Sequence, residues 1–242
     1  ISQGVTFWRD NRAALERAET IYGVPPEIIV AIIGVETRYG RVTGNFGVVD
    51  ALSTLAFDYP PRAKFFRGQL TQHFLLSREE GKDPLSMKGS YAGAMGYGQF
   101  IPSSYRSYAV DFDGDGVRDI WSNKTDAIGS VANYFAENGW RGQHDVVERV
   151  SLVAENAELT SLANGALKPT RTVAEWRDLG VQVSAEQPPN RIATLMRMQQ
   201  PESAEYWLGF EDFYAITRYN HSRLYAMAVY QLSQAISERR KN

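Results

Sequence analysis

Residues Asp111 to Asp119 read DFDGDGVRD, with carboxylates on alternate residues at Asp111, Asp113 and Asp115 and Gly116 directly after them. This is the opening of a calcium loop, in which positions 1, 3 and 5 supply side-chain oxygens and a glycine at position 6 makes the turn. Three clustered carboxylates repel one another unless a hard cation neutralises them. Val117 at position 7 offers a backbone carbonyl, and Asp119 stands at position 9. Position 12 departs from the pattern: Ser122 replaces the usual glutamate, and Asp126, four residues on, is the substitute carboxylate. The alternative is a solvated turn of Asp and Gly with no metal. A short helix is predicted from Pro102 to about Val110. Beyond the loop, Thr125 is predicted to cap a helix in which Ile128, Val131, Ala132 and Phe135 recur at helical spacing. A loop between two helices is the EF-hand arrangement.

Upstream the chain also reads as helix. Trp8, Leu15 and Tyr22 recur at heptad spacing with Ala18 on the same stripe. Pro25 and Pro26 open the apolar run EIIVAIIGVETRYG, which Gly40 is predicted to close. Residues 50–80 predict two helices broken at Pro60-Pro61, and the glycine-rich run 89–99, GSYAGAMGYGQ, predicts irregular backbone. From about 145 the texture changes. VVERVSLVAE, VQVSAE, RIATLMRM and YWLGF read as strands, interrupted by one short helix, TVAEWRDLG. This predicts a small β-rich subdomain at 145–213 inserted in a helical protein. After Phe213 a helical stripe of Tyr225, Val229, Leu232 and Ile236 runs to the end.

Composition narrows the classes. The chain has 242 residues, 43% hydrophobic and 22% charged, enough for a sizeable core. A net charge of −2 gives no support to nucleic-acid binding. No apolar run is long enough to span a membrane. The start at Ile1 rather than Met predicts a processed or truncated N-terminus, and an upstream lipid anchor is compatible with it. With no cysteine there is no disulfide, thiol nucleophile or thiolate metal site. The scattered His73, His144 and His221 argue against a zinc site.

Glu36 is the second notable residue. It follows Ile28, Ile29, Val30, Ile32, Ile33 and Val35 on a helix apolar nearly all round, which predicts burial. Desolvation raises the pKa of a buried carboxylic acid, and a glycosidase uses such an acid to protonate a leaving oxygen. The alternative is a structural ion pair with Arg38 or Arg41, or an acid that reaches solvent at the helix end. Gly93, Gly96 and Gly98 do not form GxGxxG, so the run predicts close backbone approach rather than a phosphate cradle, with Ser90 and Gln99 offering hydrogen bonds to a polar substrate. A plain packing loop is the other reading. Thirteen tyrosines supply aromatic faces with hydroxyl handles, which suit sugar rings, although most tyrosines are simply core or boundary residues.

Four stretches together resemble the lytic murein transglycosylase B family: VETRYGRVTGNFGVVDALSTLAFDYPPRAKFFRGQL, GSYAGAMGYGQFIPSSYRSYAVDFDGDGVRDIW, DAIGSVANYFAENGW and RYNHSRLYAMAVYQL. The resemblance covers most of the chain and is weakest over the β-rich stretch. It implies a mainly α (α+β) fold: a helical subdomain of residues 1–23 and 50–86, a lysozyme-like catalytic core of 24–49, 87–144 and 214–242, and the β-rich subdomain 145–213. It implies cleavage of the β-1,4 bond between N-acetylmuramic acid and N-acetylglucosamine in peptidoglycan. By its ETRYG context Glu36 matches the single catalytic acid. Ser90, Gln99, Tyr134, Tyr219, Asn220 and Tyr225 match the substrate groove, and Arg62 in YPPRAKFF is a weaker match for a stem-peptide contact. Asp111, Asp113, Asp115, Val117 and Asp126 match the calcium loop; Asp113 stands where relatives can carry serine.

The implied chemistry uses one acid twice. Glu36 protonates the glycosidic oxygen, the N-acetyl group of the muramic acid stabilises the anomeric carbon, and the Glu36 carboxylate then takes the C6 hydroxyl proton. A 1,6-anhydro ring closes in place of water attack. The resemblance also implies structural calcium, no organic cofactor, peptidoglycan glycan strands and stem peptides as partners, and the periplasm of a Gram-negative bacterium. Partner cell-wall enzymes are not readable. The competing expectations are a calcium-stabilised, non-catalytic glycan-binding protein and a hydrolytic muramidase.

Overall fold

The computed structural model describes residues 1–142 and 145–241, so His144 lies outside the described residues. These divide into two compact units, 1–137 with 232–242, and 138–231.

The first unit is helical. Helices α1 (Ser2–Asp10) and α2 (Arg12–Tyr22) carry the expected stripe: Trp8, Leu15 and Ala18 are buried, and Tyr22 is half-buried. One helix was predicted and two are present. The Asn11 amide side chain donates to the Phe7 carbonyl at 2.7 Å, competing with helix continuation, and the backbone turns there. Helix α3 (Pro26–Thr37) starts on Pro26, whose missing N–H costs nothing at a helix's first position. Ile28 to Ile33 are all at most 2% exposed, so α3 is the central post of the unit. Each isoleucine and valine among them contributes about 1.5–3 kcal/mol by leaving water.

Helices α4 (Val48–Phe57) and α5 (Ala63–Glu79) are separated at the expected prolines by one 3-10 turn, Pro60–Arg62. They pack as a hairpin, with the Arg67 guanidinium donating to the Ala56 carbonyl at 3.1 Å. Strands β1 (Phe46–Gly47) and β2 (Lys88–Gly89) pair antiparallel. Helices α6 (Pro102–Tyr108) and α7 (Lys124–Glu137) flank the acidic loop. The cap of α7 is Asn123, not Thr125: Asn123 Oδ1 accepts from the Thr125 N–H at 2.9 Å, and its carbonyl accepts from Ala127. Thr125 thus falls inside the first turn.

The second unit carries a five-stranded antiparallel sheet in the order β4-β6-β7-β3-β5. Its strands are β3 (Val147–Leu152), β4 (Arg171–Thr172), β5 (Val181–Gln182), β6 (Ile192–Gln199) and β7 (Ala204–Gly209). The β6–β7 hairpin pairs Thr194 with Gly209 through to Gln199 with Ala204. Val150, Leu195, Tyr206 and Leu208 face a core closed by Leu159, Trp176 and Phe210. The expected helix is α9 (Val173–Asp178), with a full capping box between Thr172 and Glu175. A second helix, α8 (Ala157–Ala163), was not expected. Asn156 Oδ1 accepts from Leu159 N–H at 2.8 Å and starts it, and Leu159 and Ala163 bury its inner face. The chain ends in α10 (Glu211–Tyr219) and α11 (Arg223–Lys241). Val229 and Ile236 are fully buried on the expected stripe, but Tyr225 and Leu232 are half-buried and Ala226 and Ser233 complete it.

Candidate active site

Glu36 is the penultimate residue of α3, one turn past the buried isoleucines. It was expected to be buried. It is half-buried, beside the exposed Val35, because the helix emerges from the core here. The helix was also expected to close at Gly40. It closes two residues earlier, through Arg38 (φ 50°) and Tyr39 (φ 62°), and Gly40 follows at φ 85°. Side chains other than glycine seldom adopt this conformation, and the surroundings must hold it. Two contacts do so. The Tyr39 ring folds back against Phe7, centroids 5.5 Å apart, and its hydroxyl lies where a Cβ on Gly34 would come within 2.5 Å. Thr37 Oγ1 shares its proton between the carbonyls of Ile33 (3.0 Å) and Tyr97 (3.1 Å) and accepts from the Gly40 N–H at 3.0 Å. The acid therefore sits on a helix end pinned from both sides.

The glycine-rich run provides the second side. It approaches the backbone after Glu36 so closely that side chains would collide: a Cβ on Gly40 would enter the Tyr97 ring, and one on Gly44 would enter the Gly89 carbonyl. Gln99, itself at φ 50°, donates from Nε2 to the carbonyls of Thr43 (3.2 Å) and Gly96 (2.9 Å). Ser90 Oγ accepts from the N–H groups of Ala92 and Ala94. Both residues thus shape the loop as well as facing its surface, each being half-buried. Thr37 was not singled out from the sequence, and Tyr97 was noted only as one of several tyrosines near the motifs. The available signal was Thr37, a hydroxyl at the end of an otherwise apolar helix.

Tyr134 is 8% exposed, edge-on to Tyr108 at 4.8 Å and tilted on Phe100 at 5.9 Å. Arg62 is exposed, its guanidinium stacked over Phe65 at 4.5 Å. Tyr219, Asn220 and Tyr225 belong to the second unit and lie at the α10–α11 turn, where Asn220 is exposed and the two tyrosines half-buried.

The acidic loop places carboxylate oxygens of Asp111, Asp113 and Asp115 within 4.8 Å of one another. That grouping fits a hard cation with oxygen ligands. Asp111 also accepts backbone N–H groups from Gly116 and Gly114, which hold its carboxyl below the usual range. Val117 is exposed and its N–H donates to Asp115. Asp126 adds a fourth carboxylate beside Asp113. It is fully buried, and its oxygens accept from the N–H of Phe112 (2.7 Å) and of Asp119 (2.8 Å), stapling the loop's two limbs together. From the second limb, the Ile120 carbonyl accepts from the Tyr97 N–H at 2.9 Å. A continuous set of contacts thus runs from the acidic loop through Ile120, Tyr97 and Thr37 to the end of α3.

A family model for the transglycosylase SLT domain matches residues 1–234. The chain belongs to that family. Membrane-bound lytic murein transglycosylase B of Escherichia coli is 49% identical over 238 residues, covering 98% of this chain; the chain spans 64% of that relative's length. The transglycosylase SLT fold is shared with solved structures. The lytic transglycosylase SltB1 from Pseudomonas aeruginosa superposes with a TM-score of 0.93 at 52% identity, over 99% of this chain and 78% of that one. The Escherichia coli lytic transglycosylase Slt35 in complex with calcium gives 0.89 at 48%, over 100% and 75%. SltB3 from Pseudomonas aeruginosa in complex with NAG-anhNAM-pentapeptide gives 0.85 at 34%, over 98% and 63%. The mainly helical, lysozyme-like fold expected from the sequence is the fold of this transglycosylase SLT domain.

Proposed function

We propose that this chain is a peptidoglycan lytic transglycosylase in which Glu36 acts first as acid and then as base. The observation that carries the reading is the placement of one carboxylic acid on a helix end held by Tyr39, Thr37 and the glycine-rich run. Rigid support of this kind is what proton transfer to a defined oxygen requires. Glu36 protonates the glycosidic oxygen, the bond to the anomeric carbon breaks, and the substrate's own acetamido oxygen stabilises that carbon. The Glu36 carboxylate then accepts the C6 hydroxyl proton as O6 attacks the anomeric carbon. No water is consumed and the acid is regenerated. Ser90, Gln99 and Tyr134 of the first unit are proposed to contact the glycan, as are Tyr219, Asn220 and Tyr225 of the second by the family resemblance, and Arg62 to meet the stem peptide. Family membership and relatives called lytic transglycosylases support this. The three-part division stays part of the proposal, with the α4–α5 hairpin as the centre of the helical subdomain. So does a periplasmic location.

The test is mass spectrometry of fragments released from purified peptidoglycan. Products ending in 1,6-anhydromuramic acid, one water lighter than hydrolysis products, are expected. Reducing-end products would make the chain a muramidase, and no products would leave a glycan-binding protein.

The acidic loop is proposed to hold structural calcium through Asp111, Asp113 and Asp115, with the Val117 carbonyl. A bound cation would neutralise the three carboxylates. Asp126, assigned to the same set from the sequence, remains a proposed ligand beside its role as the staple, its oxygens accepting from two backbone amides. Calcium at a hundredfold excess over its Kd adds about 2.7 kcal/mol to stability. For a chain of this size, that raises Tm by about 2–4 °C per kcal/mol. Equal melting temperatures in excess calcium and in chelator would reduce the loop to a plain turn.

A further inference from the structure

In the second unit, the segment after α8, the end of β6 and the α10–α11 turn enclose a cleft of about 440 Å³. Its walls include Arg197, His221, Arg223 and Leu224, and no carboxylate lines it. Arg223 is half-buried and its guanidinium donates only to carbonyls, those of Ala163 (2.7 Å), Gly165 (2.9 Å) and Asn164 (3.2 Å). Among the described residues no acid lies within ion-pair distance of it. Arg197 donates to Gln199 Oε1 at 2.7 Å, and Glu155, which lies 3.7 Å from it, is also bonded by the Tyr206 hydroxyl. The carbonyls at the end of α8 offset the Arg223 charge only in part, and a carboxylate is a guanidinium's best-matched partner. The lip adds Leu167 and the 67% exposed Leu224. Cations beside the exposed Leu224 and half-buried Leu167 suit a short peptide with a free carboxylate better than a bare inorganic anion.

We propose that this cleft binds the free carboxylate of a peptide carried on the glycan, with Arg223 and Arg197 supplying the charge and Leu224 and Leu167 the apolar contact. The proposal rests on the peptidoglycan reading above, and it assigns stem-peptide recognition to a second place besides Arg62. It makes the second unit a selector for peptide-bearing strands, while the acid stays in the first.

Ser222 gives a clean test. It lines the cleft, and its Oγ caps α11 by accepting the Tyr225 N–H at 3.3 Å. Aspartate caps as well as serine, so Ser222→Asp keeps the helix start and adds a repelling carboxylate. Binding of a synthetic muropeptide with a free peptide carboxylate is compared with that of its carboxamide form by calorimetry. The unsubstituted protein is expected to prefer the carboxylate by about tenfold, the size of one charge-assisted contact. Ser222→Asp is expected to erase that preference at unchanged Tm and to leave turnover of peptide-free glycan strands unaltered. His221→Glu, at an exposed position, serves if Ser222→Asp melts lower, with the same loss expected. Equal binding of the two forms by the unsubstituted protein, or a preference that survives both substitutions, would overturn the proposal. A failure of the lytic reading itself appears separately, as an absence of anhydro products.

Discussion

Replacing Glu36 with glutamine is expected to lower release of anhydro fragments from peptidoglycan by about 10³-fold or more, with glycan binding retained. General acid or base catalysis by one group contributes about 10²–10⁴-fold to a step. Here one residue serves two successive steps, and glutamine can neither deliver the first proton nor accept the second. The substitution preserves shape and removes only ionisation, so the pinned turn through Arg38 and Tyr39 should persist. Fragment release measured against binding to intact sacculi separates the two effects. A Glu36→Gln protein with near-full activity would mean the acid lies elsewhere. Loss of binding and activity together would mean that the residue holds the turn rather than moving protons.

Asp126→Ala is expected to destabilise the first unit by about 3–5 kcal/mol and to lower Tm by about 10 °C. Burial pushes this carboxyl's pKa up, and the N–H groups of Asp119 and Phe112 pull it back down. Removing it strands both donors, at about 1–3 kcal/mol each, and opens space beside the buried Phe112. Asp126→Asn should lose about half as much, because it keeps one acceptor and sets an amide N–H₂ against the other donor. The activity consequence follows from the contact path. The loop limb that Asp126 holds carries Ile120, whose carbonyl receives Tyr97, whose carbonyl in turn receives Thr37. Thermal melts of both variants, beside their turnover, test this. A Tm for Asp126→Ala within about 2 °C of the unsubstituted protein would remove Asp126 from its role as staple.

Much of this was readable from residues alone, for identifiable reasons. The α7 stripe repeats at 3.6 residues, so its helix follows from periodicity, and α3 follows from a long, nearly all-apolar run opened by Pro25 and Pro26. The alternate aspartates closed by Gly116 fix the turn because side-chain oxygens at that spacing reach backbone amides. What escaped depends on partners distant in sequence. Nothing local to Arg38 and Tyr39 demands left-handed backbone; the Phe7 ring and the small Gly4 and Gly34 make room for it. The burial of Glu36 was overestimated because hydropathy averages over a helix and does not see where the helix leaves the core. Spacing reports that the Asp126 carboxylate is near the loop, whereas its two amide donors become visible only in three dimensions. Helix α8 escaped because its seven residues are too few for a period to emerge and its start depends on the Asn156 side chain.

The sheet of the second unit has one further consequence. Its longest strands, β6 and β7, lie inside the order β4-β6-β7-β3-β5, and both outermost strands are two residues long. A free strand edge is a template on which another molecule can add a strand, and its length sets how many bonds the intruder gains. Two residues offer almost none. β4 pairs only Ile192 and Ala193 of β6, and β5 only Ser151 and Leu152 of β3, so these stubs cannot themselves seed intermolecular pairing, and lengthening β4 or β5 by a few alternating apolar residues should create an edge that self-associates.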